Sequence, residues 1–209
     1  MGTDHLMWGG GNPFAFRETG RIFRAAPLAN DIVAQRDPCG FARGMHRSAD
    51  AEQAKATGGM VALMPRQQDA EMLAVPGGEP VEELHMTVIY LGQDVQGQDP
   101  TELINELHYV AGNFQPIEAN VFGQAVFNAS GEDPCKVYLV GGSPDITGLF
   151  RILKDFVGQR YPGAAEQHDP FVPHVTAAYG TDLEISYEGP VLFDRIGLRW
   201  PGADQDFIL

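Results

Sequence analysis

A four-residue pattern that occurs twice constrains this chain more than any other feature: His85-Met86-Thr87-Val88 and His174-Val175-Thr176-Ala177. Each copy sits in a short apolar run, Leu84 to Leu91 and Pro173 to Tyr179, with the length and composition of a β-strand. Residues two apart on a strand point to the same face. His85 and Thr87 therefore share one face, and Met86 and Val88 the other. In the second copy His174 and Thr176 stand together, with Val175 and Ala177 behind them. Each strand thus offers an imidazole beside a hydroxyl, on an apolar back that anchors in a core. Both copies close in a tyrosine and then a glycine, Tyr90-Leu91-Gly92 and Tyr179-Gly180. A lone His on a strand is usually structural, and Thr is common in strands. The chain has six His and eight Thr. Two such copies, both in apolar strands, arise by chance roughly a few per cent of the time or less.

A phosphodiester needs a base to activate the nucleophile and an acid to protonate the leaving oxygen, and histidine does either near neutral pH. Two threonine hydroxyls can donate to the non-bridging oxygens, over which charge spreads in the transition state. With two imidazoles moving the protons, neither a metal nor a cofactor is required. The acidic residues form no recognisable metal cluster and no H-E-x-x-H occurs.

Charge narrows the substrate. The 209 residues carry a net charge of −14. Residues 1 to 58 balance to +1 and residues 59 to 209 to −15. The acidic part lacks the basic footprint of a long-nucleic-acid binder, and a small phosphate ligand is the better fit. Cys39 and Cys135 carry no metal-binding spacing and read as free thiols of a reducing compartment. No apolar stretch reaches the ~18 residues of a membrane helix, and no secretory signal pattern is present. A cytoplasmic protein is expected.

The pattern divides the chain into an N-terminal extension, 1–58, and a domain, 59–209. In the extension Leu28 to Arg36 and Ser48 to Ala56 read as helices and Asp37 to Gly40 as a turn; His5 and His46 carry no pattern there. The expected role of this segment is packing on the domain or docking a protein partner. From Met60 to Met64 a strand is expected, then a helix over Gln67 to Ala74, the strand Leu84 to Leu91 and a helix over Pro100 to Val110. Strands follow over Ile117 to Phe127 and Lys136 to Val140. A helix over Ile146 to Val157 has Ile146, Leu149, Ile152, Leu153 and Phe156 as its buried stripe. The second motif strand and one or two strands over Gly189 to Arg199 complete an α+β domain. The 25 glycines and 15 prolines suit many short strands and turns. No glycine-rich phosphate loop follows a strand, which argues against a doubly wound nucleotide fold.

Over about Gly59 to Trp200 the chain resembles the two-histidine (2H) phosphoesterases. This family includes RNA 2′,3′-cyclic phosphodiesterases of the bacterial 2′-5′ RNA ligase group, eukaryotic cyclic nucleotide phosphodiesterases, and viral enzymes that destroy 2′-5′ oligoadenylates or cyclic oligonucleotide signals. The resemblance is carried by Gly77-Gly78-Glu79 leading into Leu84 to Gly92, and by Phe171-Val172-Pro173-His174-Val175-Thr176-Ala177-Ala178-Tyr179-Gly180. The first piece is similar to actinobacterial and actinophage members in particular. The resemblance implies a bilobed fold: two pseudo-symmetric antiparallel sheets with outer helices face each other across a cleft, each lobe giving one His-x-Thr. It implies His85, Thr87, His174 and Thr176 as the catalytic set. Several RNA-processing members carry an Arg shortly after the second motif, where this chain reads Ala178-Tyr179-Gly180; recognition of a terminal RNA phosphate does not carry over.

For a nucleotide base, Phe127, Phe171 and Tyr138 are the candidate stacking surfaces, with Trp200 a further option. His168 is placed on a loop before the second motif and His108 on a helix surface. Arg151, Lys154 and Arg160 read as a solvated helix face. The expected activity is metal-independent hydrolysis of a small nucleotide phosphodiester, either a 2′,3′-cyclic phosphate or a cyclic oligonucleotide messenger. Two alternatives belong to other classes: a non-catalytic nucleotide-binding sponge or sensor, and a virion-associated structural protein carrying such a domain.

Overall fold

A computed structural model describes residues 56–131 and 133–209. The helix and turn expected at Leu28 to Arg36 and Asp37 to Gly40, and most of the helix at Ser48 to Ala56, lie outside the described residues.

The described part is α+β. Seven strands are β1 (Gly59–Pro65), β2 (Met86–Gly92), β3 (Ile117–Phe127), β4 (Cys135–Gly141), β5 (His174–Tyr179), β6 (Gly189–Arg199) and β7 (Gln205–Ile208). Three α-helices are α1 (Gln67–Leu73), α2 (Thr101–Ala111) and α3 (Pro144–Arg160), and a short 3-10 helix spans Val81–Glu83. Every strand pairing is antiparallel. The strand order is β2-β1-β6-β3-β4-β5, with β7 added on β6.

This order is a palindrome in function. Each end strand carries a motif, each is paired to the strand that precedes it, and each of those connections contains a helix: β1-α1-β2 and β4-α3-β5. The two lobes that the resemblance implies are thus β2-β1-β6 and β5-β4-β3. They are not separate sheets, because β3 and β6 pair from Ile117 and Phe193 to Val121 and Gly189.

Burial explains why these segments fold as they do. Val61, Ala62 and Leu63 of β1 are fully buried on both faces, as a strand flanked by β2 and β6 must be, and a continuous apolar run is what such a position selects. On α2, Leu103, Leu107 and Val110 are buried as their spacing requires, and each fully buried leucine contributes about 1.5–3 kcal/mol. On α3 the buried stripe is Ile146, Leu149, Phe150, Leu153 and Val157. Ile152, expected in it, is 43% exposed. The step from 149 to 153 to 157 follows the 3.6-residue period, and Ile152 falls to its side. No helix among the described residues is long and apolar enough to cross a membrane.

Two straps tie the lobes together across the motif strands. The loop before the first motif gives its Glu79 N–H to the Ala177 carbonyl of β5 at 2.8 Å. The loop before the second motif reaches β2: Ala165 N–H donates to the Leu91 carbonyl at 3.2 Å. Gln167 gives Nε2 to the Tyr90 carbonyl at 2.7 Å and takes the Tyr90 N–H on Oε1 at 3.0 Å. Each motif is thus preceded by a loop that is bonded to the other motif's strand.

Candidate active site

His85 immediately precedes β2 and His174 opens β5. Both imidazoles are half-buried. Nδ1 of His85 lies 2.6 Å from the Glu83 carbonyl, and Nδ1 of His174 lies 2.7 Å from the Val172 carbonyl. A carbonyl only accepts, so Nδ1 carries the proton in both rings. In the neutral ring that leaves the lone pair on Nε2, the atom a general base uses. Both rings are therefore set in one tautomer by the backbone two residues upstream.

The threonines are equally matched. Thr87 is paired with Ala62 of β1, and Thr176 with Val137 of β4. Two residues before each partner stands a sulfur residue, Met60 in β1 and Cys135 in β4. The Thr87 hydroxyl donates to Met60 Sδ at 3.7 Å, and the Thr176 side chain stands close enough to the Cys135 thiol to favour its thiolate. Sulfur is a weak hydrogen-bond partner, so each hydroxyl is oriented without being strongly engaged.

A cleft of about 840 Å³ runs past this set, lined by His85, Thr87 and Tyr90 from one motif and by Thr176 and Tyr179 from the other. Its volume lies within the range of small-ligand sites. Arg199 and Trp200 line it from the end of β6, and Glu79, Glu82, Glu83 and Asp204 give it an acidic wall. His174 is not one of the residues lining this cleft; it stands close enough for its charge to be felt at His85. Burial lowers the His85 pKa below the ordinary value of 6.5; the Glu83 carbonyl opposes this, and the charges of Arg199 and His174 reinforce it. Burial also lowers His174, against the raising effect of the Val172 carbonyl, and His168 adds to the lowering. Burial pushes the Cys135 thiol up, away from the reactive thiolate.

The cleft therefore brings together His85, Thr87 and Thr176, and His174 stands outside its lining. Of the candidate stacking surfaces, Trp200 lines the cleft, and the Phe127 ring lies 4.7 Å from the His174 ring, tilted by 58°. Phe171 is instead stacked on Phe150 of α3, with centroids 4.1 Å apart and planes 4° apart. Tyr138 is 1% exposed and packs edge-on against Tyr187, so its ring has no face for a ligand. His108 packs edge-on to Phe207 at 4.8 Å. Arg160 pairs with Glu102 at 3.5 Å on the surface, and Lys154 lies over the Phe150 ring at 5.5 Å. Arg199 escaped sequence reasoning, since nothing local marks it; only the pairing of β6 with β1 carries it to the cleft.

Neither a protein-family model nor a curated protein sequence matches the chain. Solved structures do. TT0787 of Thermus thermophilus aligns with a TM-score of 0.54 at 18% identity, over 73% of this chain and 95% of that one. That likeness shows a shared fold. LigT of E. coli aligns more loosely, with a TM-score of 0.44 at 14% identity over 73% of this chain and 94% of that one.

Proposed function

We propose that this chain is a phosphodiesterase acting on a small nucleotide phosphodiester, with the two imidazoles performing both proton transfers. The observation that carries this reading is the matched pair: two histidines on equivalent strands, each held through Nδ1 by a backbone carbonyl, each beside a threonine hydroxyl. One neutral imidazole takes a proton from water or a ribose 2′-hydroxyl through Nε2. The other, protonated, delivers one to the leaving oxygen. Thr87 and Thr176 donate to the non-bridging oxygens as charge builds on them. No step needs a metal. The acidic wall of the cleft, including Glu82 and Asp204, disfavours a long polyanion and supports a small substrate. A 2′,3′-cyclic phosphate and a cyclic oligonucleotide messenger are the two candidate classes. In this reading residues 59–209 form the catalytic unit, met by its substrate in the cytoplasm, and residues 1–58 serve a protein partner.

The test is incubation of the full chain, in EDTA, with 2′,3′-cyclic mononucleotides, 2′-5′ oligoadenylate and cyclic di- and trinucleotides, beside a His85→Ala/His174→Ala control. Cleavage of one class by the wild type alone is the expected result. Binding without cleavage would replace this reading with that of a nucleotide sponge or sensor.

A further inference from the structure

The two halves of the sheet differ where they flank the motifs. Met60 of β1 is paired with Arg199 of β6, and Cys135 of β4 with Phe127 of β3. Met60 and Cys135 occupy matching places, so a guanidinium in one lobe answers an aromatic ring in the other.

Arg199 is held in its place. A Cβ on Gly197 would come within 3.1 Å of Arg199 Nη1 and 3.0 Å of Met64 Sδ, so the guanidinium lies back over β6 in space that glycine leaves. Nη1 donates to Asp206 Oδ1 at 2.7 Å and to the Leu198 carbonyl at 3.1 Å. Among the described residues lining the cleft, Arg199 is the one Lys or Arg. On the other side, Phe127 is in ring contact with His174.

We propose that these two residues divide the labour between otherwise equivalent histidines: Arg199 makes His85 the general base, and Phe127 makes His174 the general acid. The inference rests on the phosphodiesterase reading and adds a direction to it, with the nucleophile at the His85 end and the leaving oxygen at the His174 end. A fixed cation in the same cleft as an imidazole opposes a second positive charge there and keeps the Nε2 lone pair available, and the Asp206 carboxylate paired with Arg199 offsets part of that effect. An aromatic ring attracts a cation and makes an imidazolium easier to hold.

Burial lowers both rings more than any single group does, and other groups act on both. At His85 the Glu83 carbonyl and carboxylate favour protonation, and the charges of Arg199 and His174 oppose it; the Arg199 effect exceeds those of His174 and of the Glu83 carboxylate. Glu79, Glu82 and Asp204 share the cleft wall. At His174 the Val172 carbonyl favours protonation, and His168 opposes it. His168 is exposed, so solvent and salt screen its push, whereas Phe127 is in direct contact.

The experiment is an NMR titration of both imidazoles in the full chain without substrate, for wild type, Arg199→Gln, Arg199→Lys and Phe127→Leu. It is paired with the pH profile of kcat/KM on whichever member of the nucleotide panel the wild type cleaves. Arg199→Gln is expected to move the His85 midpoint and the acid limb of the profile to higher pH, and Arg199→Lys to restore both. Phe127→Leu is expected to move the His174 midpoint and the alkaline limb to lower pH. Midpoints that stay fixed, or an Arg199→Gln shift that appears on the alkaline limb, overturn the division of labour while leaving the phosphodiesterase reading intact. Failure of the wild type to cleave any member of the panel overturns both.

Discussion

The imidazoles of His85 and His174 are held alike, each with its Nδ1 on the carbonyl two residues before it, at 2.6 Å and 2.7 Å. A ring fixed this way cannot turn its Nδ1 to a substrate, so Nε2 alone is left for proton transfer. Replacing either histidine by alanine is expected to lower kcat/KM by roughly 10²- to 10⁴-fold, because each removes one of two coupled proton transfers. The double variant should fall little further than the worse single one, since groups that act as a unit are not additive. Steady-state rates of the three variants check this; additive losses would mean that the two rings work independently.

The pH behaviour follows from the direction in which the rings are pushed. Both are held below the ordinary imidazole value of 6.5, mainly by burial. The kcat/KM profile of the free protein is therefore expected to be a bell centred on the acid side of pH 6.5. A plateau with no second limb would count against two-histidine catalysis.

The same shifts act on stability. The unfolded chain takes up protons near pH 6.5 that the folded rings refuse. Their contribution is whole above that pH and is lost progressively as pH falls from 6.5 towards the lowered folded values. Urea melts at pH 7.5 and 5.5 should show the midpoint falling in acid. A His85→Asn/His174→Asn protein should show a smaller fall, and an equal fall would place the proton uptake elsewhere.

Much of the site was legible because its signal is local. The alternation within His85 to Val88 and His174 to Ala177 sets face and neighbour from sequence alone, and the structure pairs Thr87 and Thr176 in matching register. What was not legible depends on pairing between distant strands. In β4, Val137 and Tyr138 are both buried, so the two-residue alternation that would assign Tyr138 a face is absent there. Phe171, three residues before β5 begins, is drawn onto Phe150 of α3, a partner that no spacing in the sequence indicates. Arg199 reaches the cleft only because β6 crosses back beside β1.

Gly78 shows how closely one strap lies on the opposite motif strand. A Cβ built there would stand 2.5 Å from the Ala177 carbonyl oxygen and 2.6 Å from Val75 Cγ2. The first obstacle is backbone, one residue from Thr176, so relief requires moving β5 or breaking the Glu79–Ala177 hydrogen bond. Gly78→Ala is expected to cost about 1–3 kcal/mol, as overpacking does. At this chain length each kcal/mol lowers Tm by about 2–4 °C. Activity should fall further than stability explains, because Thr176 moves with its strand. A calorimetric scan and a rate measured well below Tm separate the two effects.

Gln167 closes the other strap by standing in for a strand. Its amide both donates to and accepts from the backbone of Tyr90, the exchange a neighbouring strand would make, and its Nε2 also reaches the Ala165 carbonyl at 2.6 Å. Tyr90 lies on an end strand of the sheet, where unpaired N–H and carbonyl groups otherwise face solvent. Gln167→Ala removes both bonds at once. Because Tyr90 is exposed, water replaces them in part, and the expected loss of stability is modest, about 0.5–1.5 kcal/mol. The sharper readout is local. Amide exchange at Tyr90 should accelerate in the variant, while exchange in β1, buried between β2 and β6, stays at its wild-type rate. Equal acceleration in both strands would mean that the loop supports the whole sheet; no acceleration at Tyr90 would mean that the strap does not close this edge in solution.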